Sequence, residues 1–167
     1  MKVCLDVDYR EDCAVTACVG FDAWEQSAAS FERATISALK PGDYQSGEFY
    51  KRELPFLLEA IGALPSVPEL VVVDAYVWLG PGRPGLGAKL HEALGGKVPV
   101  VGVAKRRFVN SGALEVRRGA STQPLYGSAA GVAVERAAQW VKQMHGEHRL
   151  PTLLKRVDRL CRDTQVS

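Results

Sequence analysis

A chain of 167 residues is long enough to bury its own core as one domain over 1–167, and no second domain is expected. Hydrophobic residues make up 47%, yet no apolar run nears the roughly 18 to 20 residues that span a bilayer, and MKVCLDVDY sets acids where a secretory leader is apolar; a cytoplasmic protein with no membrane partner is expected. A formal net charge of +2 is too small to establish a nucleic-acid partner by itself, since only the placement of the basic residues carries that information.

Residues 2 to 9 alternate, with Val3, Leu5, Val7 and Tyr9 on one face and Cys4, Asp6 and Asp8 on the other, the period of a strand. Glu11 and Asp12 mark a turn, and CAVTACVGF at 13–21 reads as an antiparallel partner of the first strand. Residues 30 to 40 leave helix and third strand both open. From 53 to 64, Leu54, Leu57, Leu58, Ile61 and Leu64 recur at helical spacing, with Pro55 expected in the first turn, where its missing N–H is not needed. ELVVVD at 69–74 is a short β-branched run ending in a charge, as in a strand buried on both faces whose C-terminal end lies at a site. A helix over about 85–94 and a strand over 98–104 follow, an alternation that argues for parallel pairing. Residues 106 to 128 hold short strands and turns whose order the pattern does not give, and two helices, about 132–144 and 151–162, close the chain.

Cys4, Cys13, Cys18 and Cys161 form no CxxC pair, and three lie in segments that read as buried, so reduced core thiols are expected. His91, His145 and His148 are too scattered for a zinc triad. Gly80 to Gly85 satisfies GxGxxG, but the next strand ends in Lys105 rather than a ribose-binding acid, and two prolines remove backbone donors; no nucleotide cofactor is expected. Lys155, Arg156, Arg159 and Arg162 share one side of the last helix, read first as a solvated face and second as a phosphate track. Lys105-Arg106-Arg107 is the stronger basic candidate, because it follows a strand whose end should lie near acids.

Three of those acids stand where charge is costly: Asp6 in an apolar strand, Glu53 at the start of a helix, Asp74 after VVV. With the first strand central in a mixed sheet, its parallel neighbour lies about 4.8 Å away, so Asp6 and Asp74 can face each other with Glu53 reaching in. A hard divalent cation, Mg²⁺ or Mn²⁺, would remove their mutual repulsion. By residue type alone Glu53 equally suits a dipole-favoured helix start and Asp74 a strand-end turn. Asp8, on the face of Asp6 and roughly 7 Å along, reads more simply as a solvent-facing acid than as a fourth member.

LDVDY (5–9), DYQSGEFYKRELP (43–55), VVVDAYVWLGPGRPGLGAKL (71–90), VPVVGVAKRRF (98–108), VERAAQWVKQ and HRLPTLLKRVDRL, in that order over nearly the full chain, resemble the endonuclease V family. The resemblance implies an α/β, ribonuclease-H-like fold: a mixed five- or six-stranded central sheet flanked by helices. It implies catalytic Asp6, Glu53, Asp74 and Lys105, the three acids binding Mg²⁺ with Mn²⁺ as substitute. Tyr44 falls in the family's wedge beside the damaged base, and Gly47, Arg52 and Arg106 fall on the substrate side. The implied activity is metal-dependent cleavage of a phosphodiester bond 3′ to inosine in DNA or RNA, in nucleic-acid repair. This chain also departs from the family pattern. A histidine ahead of the penultimate helix meets Ala130, another meets Gly80, and the wedge prolines are missing from Asp43-Tyr44-Gln45-Ser46. The alternative reading is therefore a weakened homologue that binds nucleic acid or a protein without cutting.

Overall fold

The computed structural model describes residues 1–39 and 49–166. Strands β1 (Lys2–Tyr9), β2 (Cys13–Phe21) and β3 (Phe31–Ala38) form an antiparallel meander, followed by helix α1 (Phe49–Gly62). Then come β4 (Leu70–Val73), the short hairpin β5 (Trp78–Gly80) and β6 (Arg83–Pro84), α2 (Leu86–Ala93), β7 (Val100–Ala104), β8 (Leu114–Val116), β9 (Leu125–Ala130), α3 (Val134–Gln143) and α4 (Thr152–Asp163). The main sheet runs β3-β2-β1-β4-β7-β9-β8, with β1, β4 and β7 parallel and adjacent at its centre.

Every residue of β2, β4 and β7 is buried, so these runs are apolar on both faces rather than alternating. One face, carrying Cys4, Val15, Val19, Val72, Val101 and Val103, packs under α3 and α4 through Val141, Leu153 and Val157. The other, carrying Val3, Leu5, Val71, Val73 and Val100, packs under α1 and α2 through Leu57, Ile61, Leu86 and Leu90. Two apolar faces require two helical layers, and the chain supplies two helices for each.

The structure settles the segments that the sequence left open and corrects the strand count and the start of the first helix. The ambiguous segment at 30–40 is a strand, because β2 offers it a continuous register from Cys13↔Ala38 to Gly20↔Phe31. The sheet has seven strands, not five or six, because 106–128 contributes β8 and runs into β9. Strand β9 is hard to read from sequence: Gly127, Ser128 and Ala129 have low strand propensity, and they are there because Ala138 of α3 lies against Gly127 and Ser128 bonds another loop. Helix α1 begins at Phe49, so Pro55 lies within the helix and no acid stands in the first turn. The dipole explanation for Glu53 thereby lapses.

All four cysteines are free and buried. Among the described residues no helix is long and apolar enough to cross a membrane.

Candidate active site

Three adjacent parallel strands each supply a charged residue to the α4 side of the sheet, where their parallel pairing ends. Asp6 shares the face of Cys4 on β1, Asp74 follows Val73 at the end of β4, and Lys105 follows Ala104 at the end of β7. The register Leu5↔Val73 brings Asp6 and Asp74 next to each other, as strand alternation predicted. Together with Lys155 and Asp158 of α4 they line a small cavity of about 30 Å³, whose apolar lining is Leu5, Val103, Leu150, Leu154 and Val157. That is room for about one water molecule.

Several contacts hold these ends in place. Lys105 Nζ donates to Asp74 Oδ2 at 3.1 Å, and the Val7 N–H donates to Asp6 Oδ1 at 2.9 Å. The Asp74–Val77 loop is drawn onto β7: Val77 N–H donates to Ser128 Oγ at 2.9 Å, and Gly102 has no side chain to hold off the Ala75 carbonyl. Arg149 donates to the carbonyls of Lys105 and Pro124, pinning the end of β7. Tyr76 donates to the Arg106 carbonyl and accepts from Phe108 N–H, which ties the loop after Lys105 to the loop after Asp74. The Cys161 thiol donates to the Asp6 and Val15 carbonyls, seating α4 directly over the first acid.

Glu53 approaches from α1, in the opposite helical layer, and its carboxyl lies in the field of the same acids. Burial first, then the charges of Asp6 and Asp74, push its pKa up to about 7, against a lowering pull from Arg52. Asp6 is pushed up to about 7 by burial first and then by Asp74, with Asp158 adding to the rise and Val7 N–H and Lys105 opposing it. The three acids are electrostatically one cluster. They are not yet a chelate: among the described residues no group of three or more His, Cys, Asp or Glu is gathered closely enough to hold a metal ion. In this arrangement the Asp74 carboxylate is held by Lys105 and an Asp6 oxygen by Val7.

Other expected residues fall as follows. Arg52 lies over the Tyr9 ring, 3.6 Å from its centre, beside Glu53. Arg106 is exposed and does not line the cavity. Tyr44, Gly47 and the rest of the wedge at Asp43–Ser46 lie outside the described residues. Asp8 is engaged by Arg10 at 2.9 Å and stays out of the cavity. The fourth acid is Asp158, which sequence reading missed. Its signal was weak: an acid on the margin of the buried stripe Leu153-Val157-Cys161, in a helix whose charges are mostly basic. Ala130 pairs with Val100, three rungs or about 10 Å at normal strand rise from the level of Asp74 and two strands over from it, so a histidine there is far from the acids. Gly80 ends β5 and lines a separate groove with Trp78 and Asn110.

A family model described as endonuclease V matches residues 3–138. The chain belongs to the endonuclease V family. The endonuclease V of Streptomyces avermitilis is 32% identical over 181 aligned residues, spanning 95% of this chain and 77% of that protein. Its crystal structure superposes with a TM-score of 0.74 at 27% identity, covering 96% of this chain and 79% of that one. A Ciona intestinalis endonuclease V, solved in complex with a 23mer DNA containing an inosine followed by a ribo-adenosine, shares the fold with a TM-score of 0.81 at 18% identity, over 97% and 83% of the two chains. The fold is thus the ribonuclease-H-like α/β fold of endonuclease V, with the acids at the strand ends where open α/β sheets place ligands.

Proposed function

We propose that this chain is a metal-dependent endonuclease that cuts a phosphodiester bond 3′ to inosine in DNA or RNA, acting as a single domain in the cytoplasm in nucleic-acid repair. The observation that carries the reading is the mutual field of Asp6, Glu53 and Asp74 beside Lys105, in a chain of the endonuclease V family. The inosine-containing DNA held by the Ciona relative supports the substrate. Four free, buried cysteines fit a reducing compartment.

The donor set suits a hard divalent cation. It is all oxygen, and two of its acids are pushed up to about 7 by burial first and by neighbouring carboxylates second, both of which a bound cation would offset. Asp6, Glu53, Asp74 and Asp158 would hold Mg²⁺, or Mn²⁺ in its place, which when bound activates water and offsets charge on the leaving oxygen. Lys105, released from Asp74, takes a phosphate oxygen and neutralises part of its charge. Apolar Leu5, Val103, Leu154 and Val157 limit water around the acids, which strengthens every charge interaction there. A water oxygen bonds to phosphorus as the P–O3′ bond breaks, leaving a 3′-hydroxyl and a 5′-phosphate.

Purified protein incubated with inosine-containing and undamaged single- and double-stranded DNA and RNA tests this. Cutting at the second phosphodiester 3′ to inosine is expected with Mg²⁺ or Mn²⁺, lost with chelator and in Asp74→Asn. The Asp74–Lys105 pair, which occupies an Asp74 oxygen, and the absence among the described residues of a group gathered closely enough to hold a metal favour a second reading in which the chain binds nucleic acid without cutting. Binding by the wild type with no cleavage of any substrate would establish that one instead.

A further inference from the structure

The basic stripe of α4 is not one surface. Arg156 forms a two-pronged pair with Glu32 of β3 at 2.7 Å per contact, and Arg162 holds Asp158 at 3.1 Å. Arg159 is exposed to solvent. Lys155 alone of the four lines the cavity that contains Asp6, Asp74, Lys105 and Asp158. Its ammonium has no hydrogen-bond or ion-pair partner among the described residues. Asp158 stands three residues on, at helical pairing distance, but is engaged by Arg162 instead. An unpaired cation thus stands beside a group of carboxylates, on a long flexible stem, lining the same cavity as Lys105 but from a different element.

A phosphodiester brought to the acids presents two non-bridging oxygens that share one negative charge. Lys105 comes to it from β7 and Lys155 from α4, so each can meet a different oxygen. We propose that Lys155 is a second phosphate-contacting residue, donating to a non-bridging oxygen of the scissile phosphodiester opposite Lys105. This rests on the nuclease reading above. Because the contact is to backbone and not to a base, it acts alike on inosine-containing and undamaged strands.

The test uses the whole chain and fluorescent oligonucleotides with and without inosine, in Ca²⁺ for binding and in Mg²⁺ for single-turnover cleavage. Lys155→Ala is expected to flatten the plot of log affinity against log salt by about 0.9 for duplex or 0.7 for single strands, one phosphate contact. Both oligonucleotides should weaken equally, cleavage should slow about tenfold or more, and Lys155→Arg should recover most of both. Arg159→Ala, on the same helix but outside the cavity, should leave the slope unchanged. An unchanged slope in Lys155→Ala, or an equal change in both alanine variants, refutes the assignment while leaving the nuclease reading intact. If the wild type binds neither oligonucleotide, the nuclease reading fails and the lysine assignment falls with it.

Discussion

Gly102→Ala probes how the fold positions Asp74. Gly102 sits in β7 between Val73 and Ser128, and an added Cβ would stand 2.6 Å from Ser128 Oγ and fall inside contact range of the Ala75 carbonyl. Restoring an ordinary 3.4 Å contact to Ser128 Oγ alone asks for a displacement of about 0.8 Å, and the Ala75 carbonyl, closer still, asks at least as much of the 75–77 loop. Moving that loop strains the Val77–Ser128 hydrogen bond, at about 1 kcal/mol, and overpacks the strand, at about 1 to 3 kcal/mol. A loss of about 2 to 4 kcal/mol leaves a domain of ordinary stability folded. Asp74, one residue before the displaced segment, moves with it, and a shift of that size can cost about a hundredfold in rate. Urea unfolding gives the first quantity and single-turnover cleavage, well below the unfolding midpoint, the second. Gly62→Ala is the control: its Cβ meets nothing within 4 Å at the end of α1, so stability should hold or rise by up to about 1 kcal/mol. A Gly102→Ala protein with wild-type midpoint and wild-type cleavage would show that the glycine is not what seats the loop.

The metal-free chain should lose stability as pH rises from about 5 to 7. Asp6 and Glu53 are pushed up to about 7, so the folded chain holds protons that the unfolded chain has already released above its ordinary carboxylate range. Urea midpoints in chelator should fall over that window, less steeply in Asp6→Asn, and a flat or rising midpoint would contradict the cluster. Asp158→Asn should slow cleavage at least tenfold with little change in unfolding, since its side chain is partly exposed. Wild-type cleavage across a Mg²⁺ titration would exclude it from the site. Arg118→Met should cost about 3 kcal/mol or more: the side chain is 4% exposed and donates to the carbonyls of Val141, Met144 and Gly146, which close the end of α3. A loss under about 1 kcal/mol in denaturant unfolding would mean that water replaces it.

Much of the central sheet was legible in the chain. Alternation located β1 and the side of Asp6, and the β-branched run of β4 and the apolar strand before Lys105 marked where Asp74 and Lys105 emerge. These signals survive because strand period and buried runs are local properties, readable within six or eight residues. Resemblance to a known family then joined those blocks in order, and Glu53 with them. Strands β8 and β9 were not legible, because the small residues of β9 answer to α3 and to the Val77 loop rather than to strand propensity.

Asp158 depended wholly on tertiary structure, and Lys155 was legible only as one member of a basic stripe, singled out by the cavity it lines. Nothing near either residue in the chain says that α4 is seated over Asp6 by Cys161, or that Asp158 adds its charge to Asp6. The sequence by itself determined the strands, their faces and the kinds of charge at their ends. Only packing decided which charges meet, because crowding carboxylates is unfavourable locally and is sustained by two apolar cores spread over the whole chain.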